Sequence, residues 1–557
     1  MINRSDCDDG MLLRRFASTI LAATQPHTRP APSPVSNEMV VVPSPPPAPT
    51  GGTLLRNTTL NLVGQALPVL VALGAMPVVV RGLGPTRFGV LALAWTVVGY
   101  FSLFDLGFGR AAVKRVSETL ADGAGAEGAR VVSGTVVVVQ GAVGLVSAVV
   151  LWLLTPFLAD LFLTVPPEMR AESRQVFSLL ALAVPGVLLS NAYRAVLEGA
   201  QRFGLVNAIR APFSTATLLI PLLGVLLSWS LPQIVLGLVV ARYLAAFAYG
   251  FANARLVGGG RPQFQMAELR RLLRFGGWVA VSNTLVPLVV YLERFVVAAL
   301  LTTAALAYYA VPHELISKML LIPGAVAAAL FPTISDLQAR GDAASILERV
   351  QQGVKLVAIP LVPVSLCLVV FAQPILAVWL GPDYGEQSTV VLQLLAVAAL
   401  LNALAFVPFA LVEGVGHPDL VAKYHLAELP LYTAILLLLV WRFGIVGAAM
   451  GWGLRMLWTA PVFSFLALRR ANVSLSAVLD SKIVAGLSAA FLVLFAGWMV
   501  GTWVPGPFWR VVVTVGLMSL YLFLAWFGML SESDRGELLR GAQRLSGHRS
   551  AAEVYHS

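Results

Sequence analysis

The stretch "LRNTTLNLVGQALPVLVALGAMPVVVRGLGPTRFGVLALAWTVVGYFSLFDLGFGRAAVKRVSE" (55–118) decides the fold. From Thr58 to Val80 it carries no charge and is long enough to cross a hydrocarbon core of about 30 Å. "RGLGPTR" (81–87) then supplies turn residues and two arginines. A second apolar run, 90–109, has Asp105 as its single charge and ends in the basic "RAAVKR". This reads as a transmembrane helical hairpin. The same alternation continues outward to residue 530, giving fourteen spans: 58–80, 90–109, 131–154, 175–196, 211–230, 232–254, 276–300, 303–331, 354–380, 387–412, 420–441, 443–468, 480–503 and 507–530.

Composition agrees. Of 557 residues 58% are hydrophobic and 12% charged, with a mean hydropathy of +0.82. A soluble domain is about one-quarter charged, so an ordinary soluble protein is excluded. The net charge of +10 sits in short groups between apolar runs, which membrane topology explains without a nucleic-acid partner. The cytoplasmic links hold roughly three times the Lys and Arg of the opposite side when the N-terminus is placed inside, and both termini then fall in the cytoplasm. Cys7 and Cys367 form neither a disulfide framework nor a metal-type spacing. Residues 1–53, with "VVPSPPPAPTGG" at 41–52, read as a disordered Pro-rich cytoplasmic tail. Met11 and Met39 leave the true start open.

The chain also repeats itself. "RVSET" (115–119) precedes "TISDL" (333–337) by 218 positions, an offset that also carries Gln65 to Asn283. "AVLEGAQRFGLV" (195–206) precedes "ALVEGVGHPDLV" (410–421) by 215, and Arg242 precedes Arg455 by 213. Three matches in one order predict two six-helix lobes, 54–257 and 258–470, related as parallel repeats around a central cavity. Residues 471–530 add two C-terminal helices, and 531–557 form a second cytoplasmic tail.

Residues 55–118, with Asn57, Gly64, "LGPTRFG" and "DLGFGRA", resemble the Wzx-type polysaccharide transporters, the lipid-linked oligosaccharide flippases of the MOP (MATE-like) superfamily. "LEGAQRFGLVNAIR" (197–210) and "FPTISDLQARGD" (331–342) are similar to that family too. The resemblance covers about 54–470 and implies an inner-membrane protein that is a transporter rather than an enzyme. Its substrate would be an undecaprenyl-diphosphate-linked oligosaccharide for O-antigen, capsule or exopolysaccharide. The implied partners are membrane lipids, a polysaccharide polymerase and glycosyltransferases. No cofactor is implied beyond a proton or sodium gradient.

Moving a lipid diphosphate through hydrocarbon needs intramembrane cations, and Arg294, Lys318, Arg242 and Arg455 are the candidates. Asn283, Tyr291 and Arg294 share one helical face with Pro287, and Asn57, Asn61 and Gln65 form another polar stripe. These amides could line a cavity or serve as packing glue. Glu293, Glu314, Glu428 and His313 are candidates for ion coupling. Glu293, Arg294, Glu314 and Lys318 could equally neutralise one another as structural pairs, and Glu428 has no obvious partner nearby in sequence. Asp105 is expected to pair with Arg110 at a helix C-terminal end. Glu198 and Glu413, each before a glycine, read as structural. Prolines within spans, Pro77, Pro312 and Pro323 among them, predict kinks. The rival readings are a MATE-like exporter of a small molecule and a polyprenyl-dependent membrane glycosyltransferase or polymerase. The latter would need more outer-face carboxylates than Asp160, Glu168, Glu172, Asp383 and Glu386. "GxxxxGK[ST]" is absent, which argues against ATP hydrolysis.

Overall fold

The computed structural model describes residues 51–101, 105, 107–122, 125–162, 164–257, 263–414, 418–470, 478, 480–532 and 534–536. Side chains are described for these except at 51–68, 274–287, 418–419 and 422. Most of both tails, and the side chains of Asn57, Asn61, Gln65 and Asn283, therefore lie outside the described residues. The chain falls into two units, Met1–Thr58 and Thr59–Ser557. Of the first, only the opening turns of a helix are described; all the other helices belong to the second.

Among the described residues the chain is helical, without strands. In order the helices are α1 (Gly51–Tyr100), α2 (Phe108–Ala121), α3 (Gly125–Phe157), α4 (Arg170–Gly199), α5 (Phe203–Leu226), α6 (Leu231–Val257), α7 (Met266–Leu300) and α8 (Thr303–Ser317). Beyond them come α9 (Leu321–Ala339), α10 (Ala343–Val370), α11 (Ala372–Leu380), α12 (Pro382–Gln387), α13 (Thr389–Gly414), α14 (Pro418–Arg470), α15 (Ser481–Trp503) and α16 (Pro507–Leu524). Two of them are broken by glycine. Gly84 (φ 70°, ψ 166°) divides α1 and Gly444 (φ 59°, ψ −137°) divides α14, both at dihedrals that a side chain would resist.

Eleven described segments are long and apolar enough to cross a membrane, against fourteen expected. Two of the eleven, Val69–Tyr100 and Lys423–Arg470, contain the Gly84 and Gly444 breaks, and the side chains of α7 are described only in part. Phe247, Trp441 and Trp503 are each about three-quarters exposed, as apolar side chains facing lipid would be. The protein is a multi-pass membrane protein. The second expected span ends early: the helix stops at Tyr100 and a new one, α2, begins at Phe108. Asp105 thus lies at a helix start rather than an end. Its carboxylate accepts the Gly109 N–H at 3.0 Å and Gln140 Nε2–H at 2.8 Å, which replaces the expected pairing with Arg110. An acid is favoured at that end of a helix.

The repeat recurs as geometry. Ser117 Oγ donates to the Gly199 carbonyl at 2.8 Å, and Ser335 Oγ donates to the Gly414 carbonyl at 3.0 Å. A Cβ on Gly199 would lie 2.7 Å from the Val113 carbonyl oxygen and 2.8 Å from Val116, and one on Gly414 would meet the equivalent Phe331 and Ile334. Each helix end thus docks through a bare glycine and one serine. Gly199→Ala should lower stability by about 1–3 kcal/mol. Gly414→Ala should cost less, because its tightest neighbour, 2.8 Å away, is an Ile334 side-chain methyl rather than backbone. Thermal unfolding of the two variants in detergent measures the difference.

The appended helices pack on α10. A Cβ on Gly497 would lie 2.3 Å from Leu366, and one on Gly501 would lie 3.1 Å from the Val370 carbonyl oxygen. Lys355 Nζ meets Asp534 at 2.8 Å and fixes the chain just beyond α16. On the first repeat, Arg115 grips the buried Glu268 at the start of α7 with Nε and Nη2, at 2.6 and 3.2 Å. The same guanidinium holds the Glu118 carboxyl below the usual carboxylate range.

Candidate functional site

Five of the predicted residues meet where α7 crosses α8. Arg294 is buried on α7, and its Nη1 donates to Thr96 Oγ1 of α1 at 3.3 Å. Its Nη2 lies 3.3 Å from His313 Nδ1 and 3.5 Å from Glu314 Oε2, both on α8. A guanidinium only donates, so His313 Nδ1 is the acceptor in that contact. Tyr291, one turn back along α7, places its ring 5.6 Å below the Arg294 guanidinium and 5.6 Å from the Tyr100 ring. Lys318 Nζ bonds Glu314 Oε1 at 2.5 Å.

Lys318 stands where α8 gives way to a 3-10 turn, Lys318–Leu320, before α9. Pro323 explains the tightening, because it has no N–H to offer the Met319 carbonyl. Two cations therefore share the single carboxylate of Glu314. Arg294 also keeps a buried Nε–H with no acceptor among the described residues. Within ion-pair distance the site thus sets two cations against one carboxylate, and it keeps an unused donor.

A second cluster joins α7 to α14. Arg455 is 4% exposed and its Nε bonds Glu428 Oε1 at 3.2 Å. Tyr424 OH, Trp458 Nε1–H and Thr459 Oγ1 reach the same oxygen at 2.9, 3.0 and 3.0 Å, and His425 Nδ1 reaches Oε2 at 3.0 Å. The expectation that Glu428 stands alone is thus overturned. Tyr424 and His425 sit at i−4 and i−3, where helical spacing points, whereas Arg455, Trp458 and Thr459 come from across the Gly444 break, where it does not. Arg455, expected as a substrate cation, is paired with this carboxylate. Its guanidinium lies 5.2 Å from the Tyr432 ring, and the Tyr432 hydroxyl donates to Glu293. Glu293 is 1% exposed. Here two carboxylates face one guanidinium, the reverse of the imbalance at Glu314.

Arg242 sits differently from its repeat partner. It lies on the stripe of α6 that holds the buried Val235, Val239, Ala246, Tyr249 and Asn253, opposite the exposed Leu244, Phe247 and Phe251. Yet it is half-buried and makes no hydrogen bond or ion pair among the described residues. At the offset of 213 that relates the two arginines, Glu428 falls on Thr215, whose hydroxyl bonds its own helix at the Ala211 carbonyl. The acid that neutralises Arg455 has no counterpart beside Arg242. Sequence reasoning missed Thr96, Tyr424, His425, Tyr432, Trp458 and Thr459. Comparing the repeats at Glu428 would have shown that the two arginines differ.

Among known proteins, the chain matches the family model described as "Polysaccharide biosynthesis protein" over residues 78–389. It is 30% identical over 425 residues to a Shigella flexneri protein named as a candidate O-antigen transporter, covering 76% of this chain and 99% of that one. It is 24% identical over 366 residues to the uncharacterized membrane protein EpsK of Bacillus subtilis strain 168, covering 63% of this chain and 70% of that one. In fold it resembles the lipid II flippase MurJ in an inward closed conformation, with a TM-score of 0.64 and 12% identity over 84% of this chain and 98% of that one. An inward-facing MATE family multidrug transporter of the MOP superfamily gives a TM-score of 0.62 and 14% identity, over 74% and 98% of the two chains. The matched span runs from the end of the first half of α1 to the start of α13 and takes in both Arg294 and Lys318, so the chain belongs to the polysaccharide biosynthesis protein family.

Proposed function

We propose that this protein is a flippase of the bacterial inner membrane that carries a lipid-linked oligosaccharide across the bilayer by alternating access, with both termini cytoplasmic. The observation that carries this reading is the charge imbalance at α7 and α8. Arg294 and Lys318 share Glu314, and an unsatisfied guanidinium N–H remains. A diphosphate entering there would complete the missing negative charge, which a neutral solute would not. Arg242, unpaired on an interior stripe, is the second anion-seeking residue. An apolar hollow of about 350 Å³ between α10, α13, α14 and α15, lined by Leu404, Leu411, Pro461 and Phe491, suits an isoprenoid chain and gives the appended helices a use. The polymerase and glycosyltransferases of the same polysaccharide would be its partners.

Coupling falls to Glu293. Glu428 is held by five polar neighbours, and Glu314 by two cations. Glu293 faces Tyr432 and Arg455 of α14, Tyr309 of α8 and its neighbour Arg294. As a phosphate neutralises Arg294 and Lys318, the excess carboxylate of the second cluster loses its balance, and a proton on Glu293 restores it. Flipping of a fluorescent undecaprenyl-diphosphate oligosaccharide in proteoliposomes tests both parts. Wild type should flip it and respond to an imposed proton gradient. Glu293→Gln should keep gradient-free flipping and lose the response. A response to sodium in place of protons would refute this coupling role, and export of small cations without lipid flipping would favour a MATE-like exporter.

A further inference from the structure

Near the Gly84 break, the first and second repeats are joined by a pair of side chains that each collect a carbonyl the other helix cannot use. Pro77 in α1 has no N–H, so the Leu73 carbonyl four residues earlier lacks its helical donor. Trp379 of α11 supplies one, its Nε1–H reaching Leu73 O at 2.9 Å. On the other side α11 ends at Leu380, capped by Gly381, and Pro382 cannot serve the Val378 carbonyl. Arg81, one turn beyond Pro77, donates to Val378 O at 2.8 Å, Trp379 O at 3.1 Å and Leu380 O at 3.3 Å. A guanidinium at a helix C-terminus is also favoured by the helix dipole. The same proline device operates inside the second repeat, where Pro312 frees the Tyr308 carbonyl for Ser388 Oγ at 2.8 Å.

Directly beside this clasp, Leu73 and Met76 of α1, Glu314 and Lys318, and Trp379 line one narrow seam. Trp379 therefore lines the seam beside the charged pair while its own carbonyl accepts from Arg81. Gly89 gives α1 and α8 a further tight contact: a Cβ would fall 1.7 Å from the Thr303 carbonyl oxygen of α8. We infer that Arg81 and Trp379 form a releasable gate over the Glu314–Lys318 seam, one that must open for the charged head group to leave on that face. A gate made of two proline-orphaned carbonyls suits repeated opening. Hydrogen bonds between membrane helices are individually weak, and parting the clasp breaks no bond within either helix, because the prolines have already removed those donors. This role rests on the flippase reading for its purpose, but the gate itself can be tested without transport.

The test uses Leu315→Cys, in the seam, in a Cys7→Ser/Cys367→Ser background, with a membrane-impermeant maleimide added from either side of oriented vesicles. Trp379→Phe keeps the ring and loses the donor, and should raise labelling from the Arg81 side about three-fold, the size of one interhelical hydrogen bond. Arg81→Gln, which removes a charge-assisted set, should raise it about ten-fold. Pro77→Ala returns an N–H to the Leu73 carbonyl, so it should match Trp379→Phe, and the two together should do no more than either alone. Equal labelling in all variants, or a rise from the opposite side only, would overturn the gate. So would full additivity of Pro77→Ala and Trp379→Phe. Absence of flipping with these labelling shifts intact would refute the substrate reading and leave the gate standing.

Discussion

Arg294→Ala is expected to reduce flipping of an undecaprenyl-diphosphate oligosaccharide by ten-fold or more while the protein remains folded. The guanidinium contributes the surplus charge of its cluster, and hydrogen bonds to charged groups are worth about 1.5–3 kcal/mol. Its removal leaves Glu314 with Lys318 at 2.5 Å, a satisfied pair, so the fold loses little electrostatically. Lys318→Ala is the contrasting case. Glu314 then turns wholly to Arg294, now 3.5 Å away, and both remaining charges are neutralised. Flipping should fall again, although the pair survives. Substrate-concentration series in proteoliposomes separate the two: a loss of apparent affinity supports the phosphate site, and unchanged transport in both folded variants would make these residues structural pairs.

Glu428→Ala is expected to act on stability before it acts on transport. It takes from Arg455 its hydrogen-bonded carboxylate, leaving only Glu293 nearby, and takes from His425 its partner, in a region where both are under one-tenth exposed; breaking a buried pair costs about 3–5 kcal/mol. Tyr424, Trp458 and Thr459 lose their common acceptor as well. The protein should fail to give a monodisperse species in detergent or should unfold at a markedly lower temperature. Glu428→Leu/Arg455→Met removes both charges at once and should recover much of the loss, since replacing a buried ion pair by apolar residues is often neutral. If the single variant is as stable as wild type, the cluster does not hold α14 together.

The membrane class and most spans were legible because apolar runs and basic links follow directly from the cost of charge in hydrocarbon. The repeat had its signal too, and the Ser117–Gly199 and Ser335–Gly414 contacts fall at positions that it matches. What stayed hidden was pairing between distant segments. Glu428 and Arg455 stand 27 positions apart on a helix bent at Gly444, so no i,i+4 reasoning joins them. Asp105 misled because its run looks continuous to residue 109, whereas the helix stops at Tyr100 and restarts at Phe108. The clasp had a signal in the prolines, which were read as kinks. A kink also frees a carbonyl, and asking which donor collects it would have pointed toward partners such as Trp379 and Ser388.

The close seating of α15 on α10 through Gly497 and Gly501, pinned by Lys355 and Asp534, makes the C-terminal end a handle on the second repeat. A fluorophore attached just past Arg535 would ride with that repeat, and its distance to a dye on the first would change with each turnover. Transport could then be watched one molecule at a time, with nothing inserted into the seam or the charged clusters.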